Sequence, residues 1–373
     1  MQNRFDTHVC LISKEATPNL TPILDEQFRP KKVLMMVSAE MRDAATRLEA
    51  ICRRYQVQVE QIAVQDAFDL QALENQFFDL LTKHEAENMA LNITGGTKPM
   101  AIAASLVFKG EKPIFYVHPQ QNSVFLLSTN EPPIELANKL KLGDYLPAHG
   151  FKIIDSPALG KASLNEANLT DTLVSNAGTF HTAIARLNWL AQQASSKKVL
   201  EIADPTLQKS DPGFDRIMDY VRDAGLATLS KDTIRFRDEA ARAYLNGGWL
   251  EHYVFEIANS LKKQDIACNL TVESQAPGHS RNEIDVAILA QNRLHVIECK
   301  TSRMDQSGRA DGVLYKLDTL TAFGGLNTKG MLVSFQPLKA PDLSRAKDLR
   351  VKVVDADKLR NLKQIMNEWI NSR

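Results

Sequence analysis

The sequence predicts an α/β protein in three parts: a parallel, doubly wound sheet over residues 1–145, a helical middle over 146–247, and an α+β domain over 248–373. Three observations carry this prediction. Short apolar runs alternate with helix-length segments through the first 145 residues, the pattern of a parallel sheet covered on both faces. Proline and glycine punctuate "LGDYLPAHGF" (142–151), which marks a boundary. Near the C-terminus a hairpin pattern carries two carboxylates and a lysine where a strand would be apolar.

The elements follow in order. "THVCLIS" (7–13) reads as a buried strand and "KKVLMMVS" (31–38) as another, followed by a helix through "AEMRDAATRLEAICRRYQ". Next come a strand around "VQVEQIAV", a helix at about 66–85, the strand "NMALNIT" (88–94) and a helix through "KPMAIAASLVFKG". "PIFYVHP" and "SVFLLS" close the domain as a pair of strands. The middle reads as helices broken at Gly225 by the short hairpin "LATLSKDTIRF". That order suits a winged helix and equally a helical linker. In the last part a helix begins near Gly248, with Leu250, Val254, Ile257 and Leu261 as its apolar stripe. Strands at about 266–273, 283–290 and 293–299 follow. A helix at 312–323, strands at 329–335 and 351–356, and a terminal helix complete the chain.

Composition excludes some classes. The 373 residues suffice for two or three domains. With 45 basic and 45 acidic residues the net charge is zero, which argues against a protein that coats duplex DNA constitutively. Cys10, Cys52, Cys268 and Cys299 form no CxxC pair and read as reduced thiols of a cytoplasmic protein. The N-terminal residues lack the long apolar core of a signal peptide. No run of 18 apolar residues predicts a membrane helix.

The chemistry concentrates in "RNEIDVAILAQNRLHVIECKT" (281–301). Glu298 and Lys300 stand two apart at the end of an apolar strand, so both side chains take one face. Asp285 lies thirteen residues before Glu298, and the turn "AQNR" allows a hairpin that brings the two together. A carboxylate from each strand and a main-chain carbonyl, that of Cys299, make an oxygen site for Mg²⁺ or Mn²⁺. Lys300 can then orient water and stabilise charge on a phosphoryl group. Tyr315 and Lys316, on the helix that follows, stand where they could contact a phosphate backbone, or simply face solvent.

A second stretch, "LNITGGTKPMAIAA", places a Gly95–Gly96 turn between a buried strand and a helix opening near Pro99. Such a turn offers N–H groups and a helix N-terminus to an anion. Thr94, Thr97 and Lys98 flank it. Lys14 and Thr17, in the polar loop after the first strand, and Ser38, after the second, would share the same sheet edge. The stretch is neither GxGxxG nor GxxxxGK[ST], so neither dinucleotide binding nor a Walker-type ATP site is supported.

The D-x₁₂-E-x-K pattern resembles the PD-(D/E)xK nuclease superfamily. That family commonly adds a glutamate from a preceding helix, and Glu251 in "GGWLEHYV" matches it; Ile284 stands where the family often has proline. A domain bearing "NITGGTK" joined to "NEIDVAI…LHVIECKT" resembles, more closely, the CARF-domain ancillary nucleases of type III CRISPR systems. "NGGWLE" (246–251), "LYKL" (314–317), "GGL" (324–326) and "MLVSF" (331–335) extend the resemblance over the chain. It implies a Rossmann-like CARF domain that forms a homodimer and binds a cyclic oligoadenylate, the tetra-adenylate, through Thr94, Gly95, Gly96, Thr97 and Lys98. It implies a restriction-endonuclease-like domain in which Asp285, Glu298 and Lys300 cleave DNA, and in some members RNA. Two other readings remain: an ungated endonuclease of repair or restriction type, and a ligand-sensing regulator that binds DNA through the middle segment.

Overall fold

The computed structural model describes residues 4–372 except 119, 276, 277, 279, 305–307 and 326, and the side chain of Phe323 is also left aside. His279, read from sequence as a surface-loop residue, and Leu326 of the "GGL" stretch lie outside the described residues.

The first sheet is built from β1 (Thr7–Leu11), β2 (Lys32–Val37), β3 (Gln58–Ala63), β4 (Met89–Asn92), β5 (Ile114–His118), β6 (Ser123–Leu126) and β7 (Ile134–Glu135). Their spatial order is β3-β2-β1-β4-β5-β6-β7, parallel through β5 and antiparallel beyond. Every residue of β1 and β4 is buried, as strands covered on both faces must be. Helices α1 (Thr17–Leu24), α2 (Arg42–Arg54), α3 (Leu70–Lys83) and α4 (Lys98–Phe108) supply the cover. On α2, Ala45, Leu48, Ile51 and Cys52 form the buried stripe, and on α3, Leu73, Phe77 and Leu80.

The sequence assigned residues 13–20 to a polar loop, and α1 corrects that. The helix is short, wholly buried and carries Pro18 in its first turn, where the missing N–H costs nothing. Its polar residues are satisfied inside the domain. The Asn19 amide donates to the Leu11 carbonyl at 3.0 Å, and the Asn92 amide donates to Asn19 Oδ1 at 3.0 Å.

The chain leaves this sheet through α5 (Leu142–Ala148) and enters a second one at once with β8 (Phe151–Asp155). The middle continues with α6 (Leu164–Ser175), α7 (Ala177–Ser196), β9 (Glu201–Ala203), α8 (Pro212–Asp223), β10 (Ala227–Ser230), β11 (Thr233–Phe236) and α9 (Glu239–Ala243). β10, β11 and β9 form a small antiparallel sheet beside α7 and α8. The helix–hairpin order is thus present, with β9 as a third strand.

The last part holds α10 (Trp249–Ser260), β12 (Asp265–Ser274), β13 (Arg281–Ala290), β14 (Arg293–Lys300), α11 (Arg309–Phe323), β15 (Lys329–Ser334), α12 (Ala340–Asp348), β16 (Lys352–Asp355) and α13 (Leu362–Asn371). The sheet order is β16-β15-β14-β13-β12-β8, so an edge strand from the middle segment completes it. Gln291 and Asn292 both adopt left-handed backbone, the twist a two-residue hairpin turn requires, and fix the β13–β14 register. Helices α10 and α13 cover one face with the middle segment, and α11 covers the other. The core on the α11 face runs without a break through α5 into the first domain.

Candidate active site and sensor cavity

Val286 pairs with Ile297, so Asp285 and Glu298 come next to each other at the end of the same hairpin. The β12–β13 ladder keeps its register here but lacks the Asn269–Asp285 pair. Cys268 pairs with Val286 and Leu270 with Ile284, while Asn269 takes a left-handed φ of 51°. The alternation of faces slips there: Ile284 and Ala287 pack on the α11 face and Val286 on the other. Asp285 sits at this irregularity. Its Oδ2 accepts the Cys299 N–H at 2.7 Å and lies 3.7 Å from Lys300 Nζ.

Glu298 is buried, its side chain 3% exposed, and both its oxygens are engaged. Lys300 Nζ is 2.6 Å from Oε1, and Lys316 Nζ is 2.7 Å from Oε2. Lys300 therefore bridges both carboxylates, and the attraction of Asp285 and Glu298 outweighs burial and holds its ammonium charged far above neutral pH. The Cys299 side chain packs in the opposite core, where burial raises its thiol well above the ordinary range. Its carbonyl alone remains a ligand candidate.

Glu251 enters from α10. The "NGG" stretch makes a π-type turn in which Gly247 takes φ 121°, and a Cβ there would lie 2.7 Å from Thr301 Oγ1. That close approach sets the first turn of α10 against the end of β14. Burial pushes the Glu251 carboxyl up to about 7, reinforced by Asp285 and opposed by Lys300. Burial, reinforced by Glu298, likewise raises Asp285 to about 6.

Among the described residues no three His, Cys, Asp or Glu side chains already stand in coordinating array. The donor set is nevertheless one of hard oxygens. Burial, reinforced by the neighbouring Glu298, raises the Asp285 carboxyl, and a cation would relieve that cost, so Asp285, Glu298 and the Cys299 carbonyl fit Mg²⁺ or Mn²⁺. A consequence follows for stability. A carboxyl that binds its proton more tightly when folded costs stability above its folded pKa, and that cost disappears below its unfolded value. Glu251→Gln therefore stabilises the metal-free chain by about 1–3 kcal/mol at pH 8 and leaves it unchanged near pH 4. Urea unfolding in EDTA at the two pH values measures it; equal stability at pH 8 would refute the burial of an ionised Glu251.

Tyr315 is 52% exposed on α11, one residue before Lys316. Sequence reasoning placed Lys316 beside the site but gave no sign that it pairs with Glu298, because a contact between a helix and a strand eighteen residues apart leaves no periodic trace.

The glycine turn lies about a cavity of about 770 Å³ at the C-terminal edge of β1 and β4. This is where the strand order reverses, the place at which open α/β sheets hold ligands. Lys14, Thr94, Gly95 and Gly96 line it. Thr17, Ser38, Thr97 and Lys98 are not among its lining residues. Thr97 caps α4, accepting the Met100 N–H at 3.3 Å and donating to the Ala67 carbonyl at 2.7 Å. Lys98 is exposed, and Thr17 and Ser38 are buried.

The far wall was not legible in the sequence. Arg47 from α2, Tyr116 from β5 and His149 after α5 face the cavity, as do Ser274, Gln275 and Gly325 of the last domain. The Arg47 Nε is buried without a hydrogen-bond partner, a cationic donor ready for an anion. His149 bridges the Tyr145 carbonyl at 2.9 Å and the Glu15 carboxylate at 3.1 Å.

Two family models match this chain, one at each end. Residues 7–145 match the family model of the Card1 CARF domain, and residues 238–373 that of the Card1-like endonuclease domain. Protein VC1899 from Vibrio cholerae is similar in structure over 98% of this chain and 97% of its own, with 26% identity and a TM-score of 0.89. Can2 from Sulfobacillus thermosulfidooxidans, solved in complex with cyclic tetra-adenylate, is similar over 99% and 98%, with 26% identity and a TM-score of 0.83. A type III CRISPR defence DNA nuclease activated by cyclic oligoadenylate shares the fold over 92% of this chain and 48% of its own, at 14% identity and a TM-score of 0.58. Among proteins of curated function none matches.

Proposed function

We propose that this chain, a CARF-domain endonuclease of the Card1 kind, cleaves DNA with the help of Mg²⁺ or Mn²⁺ and is switched on by cyclic tetra-adenylate in type III CRISPR defence. The observation that carries the reading is Lys300, held between Asp285 and Glu298 at the end of a strand hairpin. A divalent cation held by Asp285, Glu298 and the Cys299 carbonyl supplies, when bound, an activated water and positive charge for the phosphate. Lys300 orients that water and neutralises charge developing on the phosphoryl oxygens. Glu251, with its carboxyl near 7, is fitted to take up a proton at neutral pH. RNA is the alternative substrate for the same chemistry.

The activator reading rests on the cavity. The Gly95–Gly96 turn before α4 lines it, and Lys14 and Arg47 offer positive charge to phosphates. A cyclic ligand of repeated phosphates suits a two-fold homodimer that presents each cavity twice. On the first domain Ile102 and Leu106 of α4 are 53% and 59% exposed and Phe78 of the adjoining α3 65%, an apolar face that a second copy would cover. No helix among the described residues is long and apolar enough to cross a membrane, and the four cysteines are free and buried, which suits a cytoplasmic location.

Nicking of supercoiled plasmid in Mn²⁺, with and without cyclic tetra-adenylate, tests the proposal. The expected result is cleavage only with the ligand, lost in Glu298→Ala, by a species whose light-scattering mass is that of two chains. Equal cleavage without ligand would replace the gated enzyme by the repair-type one.

A further inference from the structure

We propose that Lys316 is a positioning residue of the nuclease site and that α11 is the lever that sets it, its ammonium capping Glu298 until the sensor cavity is filled. This inference rests on the gated-nuclease reading and deepens it.

One end of α11 belongs to the cavity. The Gly324 carbonyl, just past the helix, accepts the Tyr145 hydroxyl at 2.6 Å and the Thr328 hydroxyl at 2.5 Å. Gly325 follows with φ 97°, packed so closely that a Cβ would lie 2.9 Å from His149 Nε2, 3.0 Å from Glu15 Oε2 and 3.1 Å from the Tyr145 hydroxyl. Glu15, His149, Ala322 and Gly325 all line the cavity. The groups that a bound anion would touch are thus the groups that brace the end of the helix. A phosphate entering there attracts His149 and repels Glu15, and so disturbs the pair against which Gly325 rests.

The other part of α11 belongs to the nuclease site. Lys316 lies eight residues before Gly324, roughly 12 Å along the helix. Its Nζ is 2.7 Å from Glu298 Oε2, while Lys300 holds Oε1. Both oxygens that a divalent cation would need face an ammonium ion. Glu298 cannot turn away, since its side chain is 3% exposed; Lys316, 31% exposed, can swing into solvent. Between the two ends Leu317 and Leu320 are buried, as is Leu314 just before Lys316, in the core shared with the first domain, so α11 transmits a displacement as a packed body.

The test is Mn²⁺ affinity of the full chain without nucleic acid, read by electron paramagnetic resonance, with and without cyclic tetra-adenylate. The ligand should raise the affinity of the unmodified chain about tenfold or more, the scale of a typical coupling between two sites. Lys316→Met should bind Mn²⁺ that tightly without ligand and gain nothing from it, and Lys316→Arg should respond as the unmodified chain does. Tyr145→Phe, which touches neither the cation nor Glu298, should weaken the response at the far end of the lever. Lys316→Met with the Mn²⁺ affinity of the ligand-free chain, or still gaining with ligand, would overturn the lever. Plasmid nicking beside it separates the two readings. Ligand-dependent cleavage with such a Lys316→Met result removes the lever and leaves the gated nuclease. Ligand-independent cleavage by the unmodified chain removes both.

Discussion

Lys300→Met should lower phosphodiester cleavage by about 10³-fold and should also destabilise the chain, by about 2–4 kcal/mol at pH 8. The two losses have one cause. Lys300 is the positive charge between Asp285 and Glu298, whose side chains are 9% and 3% exposed. Without it two buried carboxylates retain Lys316 alone, and breaking a buried pair leaves an uncompensated charge. The stability loss must therefore depend on pH. In the variant the Asp285 carboxyl binds its proton more tightly folded than unfolded, so folding regains stability as pH falls from 8 toward 5. Asp285 already stands near 6 with Lys300 in place, and removing the ammonium moves it higher. Urea midpoints at pH 8 and pH 5 read the difference directly. A deficit of the same size at both values would mean that Lys300 acts through packing of its stem and not through charge. Lys300→Arg should not restore cleavage, because the planar guanidinium cannot reproduce a point charge set 2.6 Å from one oxygen and 3.7 Å from another.

The sequence exposes this site unusually well because a hairpin obeys simple arithmetic. A two-residue turn and a period of two bring Asp285 beside Glu298 without any tertiary information. Strands of the first domain were legible for a related reason: "VLMMV" (33–37) and "MAL" (89–91) are continuous apolar runs because helices cover both faces. Glu251 was different. The likeness to a nuclease family singled it out, supported by its place beside Leu250 on the core-facing edge of the helix, where an unpaired charge is costly. What stayed hidden depended on contacts between distant elements. Lys316 meets Glu298 across a helix–strand interface. Arg47, His149 and Gly325 come to one cavity from positions 47, 149 and 325. Strand β8 joins a sheet whose other members begin more than a hundred residues later. The helix α1 was missed because burial on all sides erases the apolar–polar periodicity by which a helix is recognised, and its two prolines suggest a loop.

Gly95→Ala should abolish ligand recognition in the first domain while leaving the nuclease residues in place. A Cβ at position 95 would lie 2.0 Å from the Leu11 carbonyl oxygen and 3.3 Å from Ser13 Oγ. The neighbour is main chain of β1, fully buried and bonded to both β2 and β4, and it cannot yield as a flexible side chain would. The turn must move away instead, displacing the main chain that lines the cavity. Overpacking of this kind costs about 1–3 kcal/mol, well within what a folded domain survives. The observable is the thermal shift on adding cyclic tetra-adenylate, large for the unmodified chain and absent for Gly95→Ala. Gly160→Ala is the matched control, because a Cβ there meets nothing within 4 Å and its backbone needs no left-handed φ. The discrimination is chemical as well as steric. A methyl group adds no charge and removes no donor, so a lost shift assigns recognition to the placement of the main chain at Gly95. An unchanged shift would assign it to Lys14 and Arg47, whose side chains reach the same cavity from other elements.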